Sequence, residues 1–415
     1  MISRQISLTA SIISQSSLCK TVVVILEHRF ASTPDGAIWT ATTNAYYFWQ
    51  RYLEVFDQVR VVARVQPVDS VPANWQRVDG DRVSFAAVPY YIGPMQYLLR
   101  SRQVKRVVQE AVEPTDAVIL RVGSQIASCI EPKLRAVHHP YAVEVVADPY
   151  DVFAPGSVRH PLRSFFRWFF PQRLRHQCAG ACAAAYVTKQ ALQARYPCSH
   201  YSVGISDVDI SEDFLVLTPR RFDQEARTLN LIFVGTLAQL YKAPNILINA
   251  VASCVQAGID LKLTMVGDGK HRKELEAQAL ALGLGDRVCF RGQLSAGKTV
   301  TAALDQADLF VLPSYQEGLP RAMVEAMARA LPCIGSTVGG IPELLPPEDM
   351  VLPGDVGALA NKIREVVTNP ERMAQMSARN LEKAKEYRDE VLREQRIEFY
   401  LYVREKTEAW INQRL

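Results

Sequence analysis

No run of about 18 apolar residues occurs in the 415-residue chain, so nothing in it reads as a membrane-spanning helix. No Cys-x-x-Cys pair occurs either. The 8 cysteines stand at 19, 129, 178, 182, 198, 254, 289 and 333, mostly within apolar segments. That scatter reads as buried free thiols in a reducing compartment rather than a disulfide framework or a zinc site. Cys178 and Cys182 are one helical turn apart, but no histidine pair accompanies them at zinc-site spacing. The Gly-x-Gly-x-x-Gly fingerprint is missing, which argues against a dehydrogenase. Histidine is sparse, with 7 in the chain, and no Ser-His-Asp or Cys-His arrangement is legible. Residues 1–20 are serine-rich and lack the continuous apolar stretch of a signal peptide, so they read as a flexible tail. The net charge is only +4, which does not suggest a dedicated nucleic-acid binder, and no nucleic-acid partner is expected. The location expected is cytoplasmic.

The positive excess is unevenly placed. Residues 1–219 carry 22 Lys and Arg against 18 Asp and Glu, and the remainder carries 25 of each. Hydrophobic residues make up 48% of a chain too long for one core, so two domains are expected. Short β-branched runs at 21–26, 59–65, 83–88, 117–120 and 141–146 alternate with helical patterns near 45–55 and 101–111. A second alternating series has strands at 231–234, 261–266, 288–290, 309–312 and 332–335, with helices near 244–256, 272–282 and 321–330. Such alternation specifies doubly wound α/β sheets. The domain expectation is an N-terminal domain over 21–205, a linker over 206–222, a C-terminal domain over 223–385, and a final helix over 386–415.

One segment departs from its surroundings. Residues 159–176 read RHPLRSFFRWFFPQRLRH, with five arginines, four phenylalanines, one tryptophan and no acid. A helix packing its rings inward would explain it. A membrane interface, with rings among the headgroups and arginines on anionic lipid, explains the concentration of both better.

In parallel sheets ligands bind beyond the carboxyl ends of strands. Gly235 closes one strand and Lys242 begins the next helix; Gly267 and Gly269 flank Asp268 at the end of the following strand. After the strand at 309–312 the loop carries Glu317 and Gly318, then Pro320 at a helix start, with Glu325 eight residues beyond Glu317. Free N–H groups at that helix start favour an anion such as phosphate. Flanking carboxylates suit vicinal sugar hydroxyls. Together these describe a site for a nucleoside diphosphate sugar. Gly339-Gly340-Ile341-Pro342-Glu343 reads as a turn.

Residues 229–369 resemble the nucleotide-binding domain of family 4 retaining glycosyltransferases, which have the GT-B fold. The features that carry the likeness are Gly235 with Lys242, Val266-Gly267-Asp268-Gly269, Phe290-Arg291-Gly292, Pro313-Ser314 with Glu317-Gly318-Leu319-Pro320 and Glu325, and Gly339-Gly340-Ile341-Pro342-Glu343. The resemblance implies two Rossmann-like domains facing a central cleft, with the last helix crossing back to the first domain. It implies that Glu325 binds the ribose, Glu317 the donor sugar and Lys242 the diphosphate, with Thr236, Gly267, Gly292, Gly318, Leu319, Pro320 and Arg321 completing the donor site. It implies retention at the anomeric carbon and no cofactor. Two positions depart from the family. Thr236 stands where an arginine is usual, and Ala147 where a His-Asp pair supplies histidine, leaving Asp148 as the candidate contact to acceptor or transferred sugar. Asp207-Val208-Asp209 has the metal-binding Asp-x-Asp form, but better resembles the family's interdomain Asn-Gly-Val-Asp, so no metal is expected. The partners expected are a UDP- or GDP-sugar, a glycan acceptor linked to polyprenyl diphosphate, and the inner membrane surface. The alternatives are a nucleotide-sugar 2-epimerase and a non-catalytic nucleotide-sugar-binding subunit.

Overall fold

The computed structural model describes residues 18–157, 160–208, 210–223, 227–294 and 297–415. In the N-terminal domain the strands are β1 (Thr21–Ser32), β2 (Ile38–Thr40), β3 (Gln58–Pro67), β4 (Gln76–Arg77), β5 (Val83–Pro89), β6 (Ala117–Val122), β7 (Ala142–Val145), β8 (Ala183–Tyr186) and β9 (Tyr201–Gly204). The parallel strands run in the order β5-β3-β1-β6-β7-β8-β9. Strand order thus reverses beside β1, as in a doubly wound sheet. β2 and β4 form an antiparallel flap on the end of β1. The central strands are nearly continuous Val, Ile, Leu and Ala because both sheet faces are covered.

The second domain repeats the plan. Its strands are β10 (Leu229–Val234), β11 (Leu261–Val266), β12 (Val288–Gly292), β13 (Leu309–Leu312), β14 (Cys333–Ser336) and β15 (Met350–Val351). They lie in the order β12-β11-β10-β13-β14-β15, all parallel, with the switch point between β10 and β13. Two doubly wound sheets turn their carboxyl-end loops toward one another, which is the GT-B architecture.

Three local expectations need correction. β1 does not end at residue 26 but continues to Ser32, pairing with β3 again from Arg29 after an irregularity. The polar run Glu27-His28-Arg29 resembles a strand end in sequence, yet at the carboxyl edge of a sheet polar side chains face the cleft while the ladder continues. The helical pattern near 45–55 is a short helix, Tyr46–Gln50, followed by a 3₁₀ turn at Tyr52–Glu54. The helix expected over 101–111 begins two turns earlier and spans Gly93–Glu110. Its first turns are exposed on nearly every side and so lack a buried stripe.

The final helix, Asp389–Asn412, packs on the N-terminal domain. Tyr400 stacks on Tyr52 with ring centroids 4.7 Å apart, and Arg404 Nη1 donates to the Val55 carbonyl at 2.8 Å. Beneath this contact lies a buried ionic cluster. Glu144 on β7 accepts from Tyr52 Oη at 2.9 Å, from Tyr400 Oη at 3.3 Å and from Arg121 Nη1 at 2.5 Å. Arg121 Nη2 also donates to Asp207 Oδ2 at 2.6 Å, and Arg51 Nη1 to Asp207 Oδ1 at 3.1 Å. Burial opposes ionisation of Asp207, but the two guanidiniums outweigh it and hold its carboxyl well below the usual range. Asp207 is thereby engaged by arginines; Asp209 lies outside the described residues. No helix among the described residues is long and apolar enough to cross a membrane.

Glu144 serves three partners, so Glu144→Ala takes one of the two carboxylates from the buried Arg121 and the acceptor from two buried phenols. The expected loss is about 3 kcal/mol, read as a clear fall in Tm by calorimetry. An unchanged Tm would show that the cluster does not fasten the last helix.

Candidate active site

The switch point of the C-terminal sheet gathers the charged residues. Gly235 follows β10 and its N–H donates to the Val266 carbonyl at 2.9 Å. A Cβ at this position would stand 2.3 Å from Cδ of Lys242, so the missing side chain is what lets the lysine lie across the strand end. Lys242 does not begin the helix, as its sequence position suggested. It ends a 3₁₀ turn, Leu240–Lys242, and Ala243 in the left-handed conformation (φ 53°) then redirects the chain into the helix Pro244–Gln256. From the β13 loop, Glu317 meets it: Lys242 Nζ and Glu317 Oε1 are 2.9 Å apart. Ser314 Oγ donates to the same carboxylate oxygen at 2.8 Å, and Ser336 Oγ donates to the Ser314 carbonyl at 2.5 Å. Both charged side chains are largely buried, at 14% and 8% exposure. Burial pushes the Lys242 ammonium down, but the Glu317 carboxylate outweighs it and leaves the pKa above the ordinary lysine value.

The neighbouring loops are built from backbone at close quarters. Gly267 (φ 135°) lies so near Gly235 that a Cβ would be 1.9 Å from the Gly235 carbonyl oxygen. Its N–H donates to the carbonyl of Gly292 at 2.9 Å. Leu237 N–H donates to the Asp268 carbonyl at 2.9 Å. Thr236 Oγ1 accepts from Ala238 N–H at 3.1 Å and so shapes its own turn. A cation reaches the area from elsewhere. Arg321, the first residue of the helix Arg321–Ala328, is close enough for its charge to oppose that of Lys242. Pro320 precedes that helix with no side chain capping its N–H groups, and Leu319 is buried behind it. Glu325 lies one turn into the helix and is partly buried.

Across the cleft the two domains touch through backbone. A Cβ on Gly318 would be 2.6 Å from the Val146 carbonyl oxygen, just past β7, and within the C-terminal domain Gly340 N–H holds Gly318 in place by donating to its carbonyl at 2.6 Å. Glu343, which the sequence offered only as part of a turn, is an interdomain clamp. Its carboxylate accepts from the N–H groups of Lys189 at 2.6 Å, Gln190 at 3.0 Å and Ala191 at 2.7 Å, all following β8. Arg321 Nη1 donates to Thr43 Oγ1 at 3.1 Å and closes the opposite wall.

Asp148 is not brought to the Lys242–Glu317 pair. It is buried, accepts from Tyr150 N–H at 2.9 Å as the cap of the short helix Pro149–Val152, and is also bound by Arg195 and the Tyr196 hydroxyl. It positions the loop after β7. His28, by contrast, was missed. It lies on the extended part of β1, with Nε2 3.2 Å from Thr42 Oγ1, one residue before the Arg321 partner Thr43. Burial first, then Arg64, Arg29 and Arg121, push its pKa down to about 4, so the ring is neutral at pH 7. Carrying the strand through to residue 32 would have put it at the carboxyl edge.

Residues 220–383, which hold the whole of this charged pair and its glycine loops, match the family model described as glycosyl transferases group 1. That segment is similar to glycosyl transferases group 1. Among similar proteins, Protein CapJ of Staphylococcus aureus is 26% identical over 328 residues, covering 78% of this chain and 81% of the relative. The fold is shared with sucrose-phosphate synthase from Thermosynechococcus elongatus, at a TM-score of 0.67 and 17% identity over 92% of this chain and 98% of that one. It is also shared with Anabaena HepE in complex with UDP-glucose, at a TM-score of 0.60 and 16% identity over 91% of this chain and 98% of that one.

Two outcomes test the site's framework. Glu343→Ala removes an acceptor from three N–H groups that cross between the domains. The expected fall in Tm is about 4 °C or more, with greater interdomain motion by small-angle scattering; an unchanged scattering curve and Tm would refute the clamp. His28 has a folded pKa below its unfolded value. Its contribution to stability is therefore complete above about pH 6.5, is lost as the pH falls toward 4, and is constant below that. The Tm advantage of wild type over His28→Gln should shrink across that window, and a flat difference from pH 7 to 4 would contradict the assignment.

Proposed function

We propose that the chain is a retaining, metal-independent glycosyltransferase that moves a sugar from a UDP- or GDP-sugar to a glycan acceptor linked to polyprenyl diphosphate. The transfer belongs to surface polysaccharide assembly at the cytoplasmic face of the inner membrane. The observation that carries the reading is the buried Lys242–Glu317 pair at the switch point, 2.9 Å apart, beside an uncapped helix start and Arg321. Two cations and free N–H groups converge there, which suits a diphosphate. The likeness to HepE with UDP-glucose favours a uridine donor.

In this reading the diphosphate draws Lys242 away from Glu317. Glu317 then accepts hydroxyls of the donor sugar, and Glu325 those of the ribose. Thr236 forgoes the usual second cation, and Arg321 supplies it from the helix start. As the bond from the anomeric carbon to the β-phosphate oxygen breaks, negative charge grows on the leaving diphosphate. Lys242, Arg321 and the N–H groups of the helix start are already oriented to meet it. The acceptor hydroxyl oxygen bonds the anomeric carbon on the face the phosphate leaves, and its proton passes to a departing phosphate oxygen. Retention follows, and no enzymic base is needed, which fits Ala147 in the expected histidine position and an Asp148 occupied elsewhere. The loops Gly235–Lys242 and Pro313–Arg321 would hold the donor; the carboxyl edge of the N-terminal sheet would hold the acceptor.

Lys242→Ala and Glu325→Ala should each lower kcat/KM for donor consumption roughly 100-fold or more. EDTA should leave the wild-type rate unchanged, and proton NMR should show a product with the donor's anomeric configuration. Inversion, or a rate abolished by EDTA, would overturn the mechanism. Conversion of donor to its 2-epimer without an acceptor would replace the transferase reading with the isomerase one.

A further inference from the structure

Two helices overhang the cleft edge of the N-terminal domain, and only one drew notice in the sequence. In Arg163–Gly180, Phe166 and Phe170 pack inward on Phe153, each with ring centroids 5.4 to 5.6 Å from a neighbour in that group. Phe165, Trp168 and Phe169 point outward, and Trp168 is 61% exposed. In Gly93–Glu110 the overhanging turns expose Met95 at 72%, Leu98 at 63% and Leu99 at 85%, beside Ile92 just before the helix. Monomeric surfaces rarely leave such clusters uncovered.

The topology puts both overhangs on one side. The crossovers β5 to β6, β6 to β7 and β7 to β8 all step in the same direction across the sheet. Right-handed connections therefore lay the helices Gly93–Glu110, Ala127–Ala136 and Arg163–Gly180 on the same face. Each enters from a strand's carboxyl end, so each N-terminal turn sits at the cleft edge. One side chain ties the outer two together there: Gln125 donates to Tyr97 Oη at 2.8 Å and accepts from Arg173 Nη1 at 2.7 Å. The charge on the two helices is one-sided. Arg100, Arg102, Lys105 and Arg106 lie on the first and Arg163, Arg167, Arg173 and Arg175 on the second, against the single acid Glu110. Arg163, Arg167 and Arg175 also line an open cavity of about 360 Å³ beside Trp168.

We propose that the N-terminal turns of these two helices form a two-pronged docking face for an anionic phospholipid bilayer, seating the mouth of the cleft on the lipid surface. Apolar side chains enter the headgroup region from both prongs, the flanking cations meet lipid phosphates, and the arginine-lined cavity between Tyr150 and Trp168 receives a headgroup. This rests on the membrane-borne acceptor proposed above and extends the contact to a second helix.

The test is vesicle flotation of the full chain with phosphatidylcholine alone or mixed with phosphatidylglycerol. Wild type should float with the anionic vesicles and be released by high salt. M95S/L98S/L99S and F165S/W168S/F169S should each reduce partitioning about tenfold or more, while keeping the wild-type far-ultraviolet circular dichroism and Tm. If only the second variant loses binding, the two-pronged face is wrong while membrane attachment through the aromatic helix stands. If wild type binds no anionic vesicles, both are wrong. Equal binding to neutral vesicles would overturn the anionic partner. Self-association of wild type that either variant abolishes would make a second copy of the chain the occupant instead.

Discussion

A lysine and a glutamate held 2.9 Å apart in a largely buried crevice set the terms for the rest of the cleft. Neither charge is tolerable there alone, since burying an unpaired ion costs several kcal/mol. The loops that carry them are therefore obliged to meet at the switch point. The means are small. Gly235 removes the side chain that would block Lys242, Ala243 turns the chain in the left-handed region, and Ser314 fixes the carboxylate from beside it. Such a pair is easily exchanged for a better one. In the proposed reaction a diphosphate offers the lysine more negative charge than a carboxylate, and release of Glu317 frees an acceptor for sugar hydroxyls.

The cleft can form because the facing loops leave room for one another. Gly318 sits against the Val146 carbonyl, and Glu343 collects three N–H groups from the loop after β8. Both contacts engage backbone groups of the N-terminal domain's loops. They fix which loops of the two domains face each other. The permanent fastening is elsewhere, where the last helix rests on the N-terminal domain over the cluster of Glu144, Arg121 and Asp207.

Periodicity and glycine placement made the two doubly wound sheets legible, because both depend on local pattern. The loops after β10 and β13 were legible for the same reason: glycines, a proline at a helix start and paired acids occur at short spacing. What escaped reading depends on distant partners. Asp148 looked available but is consumed by Arg195 and Tyr196, nearly fifty residues on. Glu343 looked like turn chemistry because its partners are more than 150 residues earlier. His28 was hidden by a strand ended too soon at its polar residues. The overhang of Gly93–Glu110 was missed because a helix exposed all round lacks the buried stripe that reveals most helices.

The central claim is that a nucleotide-sugar donor binds across the β10 and β13 loops. Hydrogen–deuterium exchange of the full chain, with and without UDP or GDP, tests it most directly. The account predicts that one of the two nucleotides slows exchange in the Gly235–Lys242 loop and across 314–325, with the distal strands β12 and β15 unchanged. Protection confined to the N-terminal domain, or none with either nucleotide at saturating concentration, would contradict it.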